Sequence, residues 1–241
     1  MNNAFELSHI LFLVVALSLS IASLIVIKLF CKSQNSKNIV INVVAVTLFA
    51  TLIWNRLSVA ILNENMHQLI PDSFCTISAL LLSTLTLILF KNRNHKIFHC
   101  VVYIAFIGGL VTIIYPVPAF ANTGTIFEQR TFSMLVFHTL MSFLAVLLIV
   151  TGEFKPNFRN WWCMLLGMCA YLTFGHFLAH AFNVDIQMEI YRPFVPNTIL
   201  EWYVVGPLSL VIMLIISISC EYLPKLRKNS DEIPETESRW M

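Results

Sequence analysis

Charge is what this chain has least of. Asp, Glu, Lys and Arg make up 12% of its 241 residues, against the ~25% that a soluble domain needs to cover its water-facing surface. An ordinary water-soluble domain is excluded on that ground. The net charge is only +2, and no basic block interleaved with aromatics occurs, so no nucleic-acid partner is expected. Glycine is scarce as well, with seven residues. No phosphate-cradling loop, G-x-S-x-G elbow, H-E-x-x-H pair or dinucleotide fingerprint occurs. The basic leader of a secretory signal is missing too: Glu6 is the only charge before Lys28. The first apolar run therefore reads as a membrane helix.

What the chain does have is hydrocarbon. Hydrophobic residues make up 58% of it and the mean hydropathy is +0.78. About 20 apolar residues in a helix cross the ~30 Å core of a bilayer. Seven stretches serve, at about 9–30, 39–62, 73–90, 97–117, 131–151, 160–182 and 200–223. The expected fold is an all-α membrane protein of seven transmembrane helices over residues 1–223, with a disordered cytoplasmic tail over 224–241. That tail is charged, contains proline and is short of apolar residues.

Orientation follows from the basic residues. The first connection carries Lys28, Lys32 and Lys37, the third Lys91, Arg93 and Lys96, and the fifth Lys155 and Arg159. With Lys225, Arg227, Lys228 and Arg239 in the tail, twelve of the fifteen cations fall on one side. Positively charged loops stay cytoplasmic. The N-terminus is then outside, the C-terminus cytoplasmic, and the expected location a multi-pass position in the cell membrane.

This topology gives each unusual polar residue a depth. Asn55, Arg56, Cys75, His138, His176, His180 and Glu201 all fall in the outer half. Ionisable groups inside a membrane are costly and usually face a bundle interior or a water-filled cavity. Five helices sending such groups to one level point to a single cavity opening outward. Asn55 and Glu201 can also be read as helix-end residues reaching the interface. Arg56 either snorkels or pairs with Glu64, Asp72 or Glu201. His138, about seven residues into its helix, is too deep and too short to snorkel.

Of six cysteines, only Cys75 falls at the outer interface, so an outer disulfide has no second member. It follows Pro71, Asp72 and Ser73, a helix-start signal with Asp72 or Ser73 as N-cap. In the first turn of a helix, free N–H groups and the dipole favour a thiolate, while a neighbouring Asp72 opposes it. A cysteine activated by a histidine base is a recurring arrangement for acyl transfer.

Three segments resemble the YwaF-type family of integral membrane proteins. FELSH (Phe5 to His9) is similar to the start of its first helix, and IPDSFCTIS (Ile70 to Ser78) to its LP-x-x-x-C pattern, with Ile70 for Leu. RTFSMLVFH (Arg130 to His138) is similar to an aromatic-rich run ending in His. The wider group looks like cysteine-dependent membrane acyltransferases acting on phospholipids, with related lipid ester hydrolases. The resemblance implies Cys75 as nucleophile and His138 as general base, with membrane lipid as partner and no cofactor. Arg56, His176, His180 and Glu201 become candidate substrate-binding residues. The chain departs from the family pattern at Asp72 and Ser73, at Ser133 (where some members carry a second His) and at the end of the sixth helix. Two other readings stand beside this one. His176 and His180, four residues apart, could hold zinc with His138 and Asp72 or Asp185 in a lipid hydrolase, although no metal ligand is assigned. The same cavity could also serve a non-enzymatic carrier or receptor.

Overall fold

The computed structural model describes residues 6–71, 73–116, 125–182 and 202–231. Among them run seven long helices: α1 (Leu7–Phe30), α2 (Gln34–Leu62), α3 (Phe74–Ile88), α4 (Lys96–Ile114), α5 (Gln129–Val150), α6 (Trp161–Phe182) and α7 (Trp202–Asp231). Helices α1, α2, α4 and α5 are each long and apolar enough to cross a membrane, while α3 and the Pro207–Tyr222 part of α7 are shorter apolar segments. The last helix continues to Asp231, eight residues beyond Leu223, where the tail was expected to begin.

The bundle is built around α2, α4 and α5, with α3 wedged against all three. On α2 the buried residues Ile41, Ala45, Leu48, Leu52, Asn55 and Val59 recur every three or four positions, the signature of one helix face turned inward. Ile41, Ala45, Leu48 and Leu52 share one buried cluster with Val102 and Ala105 of α4 and Met141, Leu144, Ala145 and Leu148 of α5. The outer surface is hydrocarbon too. Helix α1 buries only His9 and leaves Val14, Val15, Ile21, Ile25 and Leu29 exposed, with a window hydropathy of 3.0. Apolar side chains turned outward in such number would aggregate in water, so their solvent is lipid.

Small residues let the helices touch backbone to backbone. A methyl at Gly109 of α4 would lie 2.7 Å from the His138 carbonyl oxygen of α5, and one at Gly167 of α6 would lie 2.5 Å from the Cys100 carbonyl oxygen of α4. Neither distance can be reached without moving backbone. Ser142 of α5 donates to the Phe106 carbonyl of α4 across the same close approach (3.2 Å). Within a membrane, small residues at such crossings let dispersion and hydrogen bonds hold helices together.

One end of the bundle is fastened by polar groups from the three basic connections. Arg93, 1% exposed, donates to Asn38 Oδ1 (2.7 Å), Asn42 Oδ1 (2.5 Å) and the Thr86 carbonyl (3.2 Å). It also pairs with Glu153 at 3.5 Å. Burial lowers its pKa from the ordinary value, and Glu153 pulls it back up. Glu153 accepts from Gln34 as well (2.5 Å). Lys155 N donates to Asn94 Oδ1, and Phe158 N to Glu221 Oε2 of α7. The odd-numbered connections thus lie together, as the charge count requires.

Candidate functional site

Helix α3 begins on a capping box. The Ser73 hydroxyl accepts from Thr76 N (3.2 Å), and Ser73 N donates to Thr76 Oγ1 (3.1 Å). Ser73 is therefore the N-cap; Asp72 lies outside the described residues. Two of the first backbone donors are satisfied this way, and Cys75 is fixed in the first turn, half-buried. Its sulfur is 3.8 Å from Thr112 Oγ1 of α4. That hydroxyl donates to the Gly108 carbonyl (2.9 Å), which leaves its lone pairs toward the thiol. A methyl at Gly108 would lie 3.2 Å from Cys75 Sγ. Glycine at 108 is what lets α4 accommodate the sulfur.

His138 sits on α5, 1% exposed. Its Nδ1 is 2.7 Å from the Met134 carbonyl, one turn back on the same helix. A carbonyl can only accept, so the proton is on Nδ1 and Nε2 carries a lone pair. Among the described residues Nε2 has no hydrogen-bond partner. Buried polar atoms are nearly always satisfied, so an imidazole lone pair left open in a bundle interior is an exception calling for a functional reason. The Phe137 ring lies beside the imidazole, with centroids 4.0 Å apart.

The other expected site residues are placed differently. Arg56 on α2 is 6% exposed. Its guanidinium donates to the Gln68 carbonyl and to the Ile70 carbonyl (3.1 Å), holding the connection that leads to Cys75 rather than snorkelling to water. Asn55 is interior as well. It donates to Ser133 Oγ (3.0 Å) and to the Arg130 carbonyl (3.3 Å), joining α2 to the start of α5. His176 and His180 lie on an exposed face of α6, their rings parallel with centroids 6.4 Å apart. Among the described residues no three His, Cys, Asp or Glu side chains gather as metal ligands. Glu201 and Asp185 lie outside the described residues. Two cavities run along α1 and α5 in the described part, and neither is lined by Cys75, His138, Arg56 or His176.

Sequence reasoning missed three interior anchors. His9 Nε2 reaches the Ile113 carbonyl of α4 (2.9 Å), tying the N-terminal helix to the bundle. His99 bonds Asn160 through Nε2 (3.0 Å) and Tyr103 through Nδ1 (3.5 Å). Arg93 was counted only as one more charge of a basic connection. A signal for it existed: Asn38 and Asn42 are four apart, on one face of an apolar helix that has no other use for two amides.

A bundle of apolar helices, hydrocarbon on its outer face and carrying buried histidine and arginine within, defines a helical membrane protein with more than one crossing. The chain belongs to the TMEM164 family, whose match covers residues 4–221. That span includes Phe5 to His9, Ile70 to Ser78 and Arg130 to His138. No curated protein and no solved structure matches the chain.

Proposed function

We propose that this is a seven-span membrane enzyme, N-terminus outside, that transfers or hydrolyses an acyl ester of a membrane lipid. Cys75 is the nucleophile and His138 the general base. The observation that carries the reading is the His138 ring, with its tautomer held by the Met134 carbonyl and Nε2 left open for a proton. A second supports it: Cys75 Sγ and the His138 backbone both border the Gly108–Gly109 step of α4. In this scheme the thiol proton passes to Nε2, the sulfur attacks the ester carbonyl, and the alcohol leaves with that proton. The thioester formed is then opened by water or by the hydroxyl of a second lipid, His138 taking the proton of the attacking group. Arg56, His176, His180 and Glu201 are the groups proposed to receive the lipid's polar head.

A lipid carrying a chloroacetamide in place of its scissile ester tests the scheme in detergent-solubilised protein. The expected adduct maps to Cys75 by peptide mass spectrometry. It is absent in Cys75→Ala and slowed about 10²–10⁴-fold in His138→Ala, the usual contribution of a general base. Labelling that persists in both variants sinks the proposal.

A further inference from the structure

Helix α1 packs mainly on α5, and the seam between them is open. Its first cavity, about 300 Å³, is lined by Phe12, Ala16, Ser20 and Ser23 of α1 with Val136 and Phe143 of α5. The second, about 250 Å³, is lined by Lys28 of α1, Cys31 and Lys32 just after it, Lys37 of α2, and Val150 and Thr151 at the end of α5. They follow one another along α1: Ser23 borders the first and Ile27 the second, about one helical turn apart. The first is almost wholly apolar and the second is cationic.

The charge in the second cavity is not used up by the protein. Lys37 Nζ donates to the Thr151 carbonyl (3.2 Å), capping the end of α5. Among the described residues, Lys28 and Lys32 have no side-chain partner, and the nearby carboxylate of Glu153 is taken by Arg93 and Gln34. The C-termini of α1 and α5 each present roughly half a negative charge there. Against three ammonium groups this leaves about two positive charges uncompensated. Retention of positive loops in the cytoplasm accounts for lysines at this end. It does not account for a cavity between them that continues into an apolar groove.

We propose that the α1–α5 seam binds one anionic phospholipid, its phosphate between Lys28 and Lys32 and an acyl chain along Ser23, Ser20 and Ala16. From Lys28 to Ala16 is ~18 Å of helix, close to the half-thickness of a ~30 Å hydrocarbon core. The exposed Ile25, Val26 and Leu29 beside the seam present it to lipid rather than to water. No α3 residue lines either cavity, so the site stands or falls separately from the chemistry assigned to Cys75.

The test is native mass spectrometry of the full chain in mild detergent, titrated with phosphatidylserine or with phosphatidylcholine of the same acyl chains. One phosphatidylserine per chain is expected to be retained, and phosphatidylcholine not. Lys28→Gln with Lys32→Gln weakens retention about thirty-fold, at the usual contribution of a lysine near a lipid phosphate. Lys91→Gln with Lys155→Gln, equal in charge but away from the seam, leaves it within about two-fold. Ser20→Phe, which fills the groove and keeps the lysines, weakens retention as well. Equal retention of the two lipids, an unaffected Lys28/Lys32 variant, or an equal loss in the Lys91/Lys155 variant overturns the proposal. So does displacement of the lipid by millimolar inorganic phosphate, which would make the cavity a free-anion site without need of a chain.

Discussion

Arg93 and Arg56 are both buried arginines, one at each end of the bundle, and among the described residues their hydrogen-bond acceptors differ in kind. Arg93 meets two amide oxygens, a carbonyl and a carboxylate. Arg56 meets carbonyls of the short connection after α2. The Arg93 end also ties three connections into one network, and its buried His99 has partners on both ring nitrogens. The opposite end keeps Cys75 near a helix start and the His138 ring open at Nε2. A polar cluster satisfied atom by atom serves as a fastening, whereas a polar atom left open where water is scarce keeps chemical capacity in reserve.

Mutations can separate the two ends. Arg93→Ala leaves the Glu153 charge, Asn38 and Asn42 without their partner, and should cost about 3–5 kcal/mol, the usual penalty for breaking a buried pair. Thermal unfolding in detergent measures it. Arg93→Lys recovers only part of that loss, since a compact ammonium cannot reproduce the planar fork that reaches four oxygens. An unchanged unfolding temperature in Arg93→Ala would show that this end is not a fastening.

Gly109→Ala comes next. Its methyl meets the His138 carbonyl at 2.7 Å, and over-packing of this kind costs about 1–3 kcal/mol. Gly108→Ala is tight only against a sulfur, at 3.2 Å, with Phe74 and Met141 at ordinary contact distance. It should change stability by less than about 1 kcal/mol yet slow labelling of Cys75 by displacing the thiol. If the two alanines act alike on stability and labelling, the distinction between packing and site at this step is wrong.

The smallest effects belong to the end that carries the proposed site. Asn55→Ala loses its bonds to Ser133 and Arg130 and should cost about 1 kcal/mol. Arg56→Lys should cost a similar amount, because a point donor still serves a carbonyl. A loss in Arg56→Lys as large as that in Arg93→Ala would erase the contrast between the two arginines.

Much of the architecture was legible in the residues. The seven apolar stretches correspond to seven helices, because hydrophobic runs bounded by polar turns leave the backbone of a lipid-soluble chain little other choice. The helix start at Ser73 followed from local side-chain chemistry, which needs no tertiary partner. The partners of polar groups were not legible. Arg56, expected to snorkel or to pair with a carboxylate, is buried and among the described residues donates to main-chain carbonyls, acceptors that carry no identity in a sequence; Asp72 and Glu201, two of the carboxylates, lie outside those residues. Asn55 was open to two readings, a cavity group or a helix-end residue, and its contact with Ser133 spans 78 positions. The common outward cavity expected from depth includes Glu201, which lies outside the described residues. Depth gives a level along the bundle axis and no direction around it.

By itself the sequence determined that this chain lives in lipid, where its helices run, and that its basic connections share one end. These follow from hydropathy, helix-start chemistry and charge, all of which act on a residue wherever the rest of the chain goes. Only the tertiary structure decided that Arg93 is a buried fastening, that the His138 lone pair is left open, and that three lysines line a cavity beside α1. Each of those depends on which faces of which helices meet, and in a bundle apolar on every side, hydrophobicity no longer distinguishes one face from another. Close backbone approaches at Gly109 and Gly167 and a few long-range hydrogen bonds make that choice.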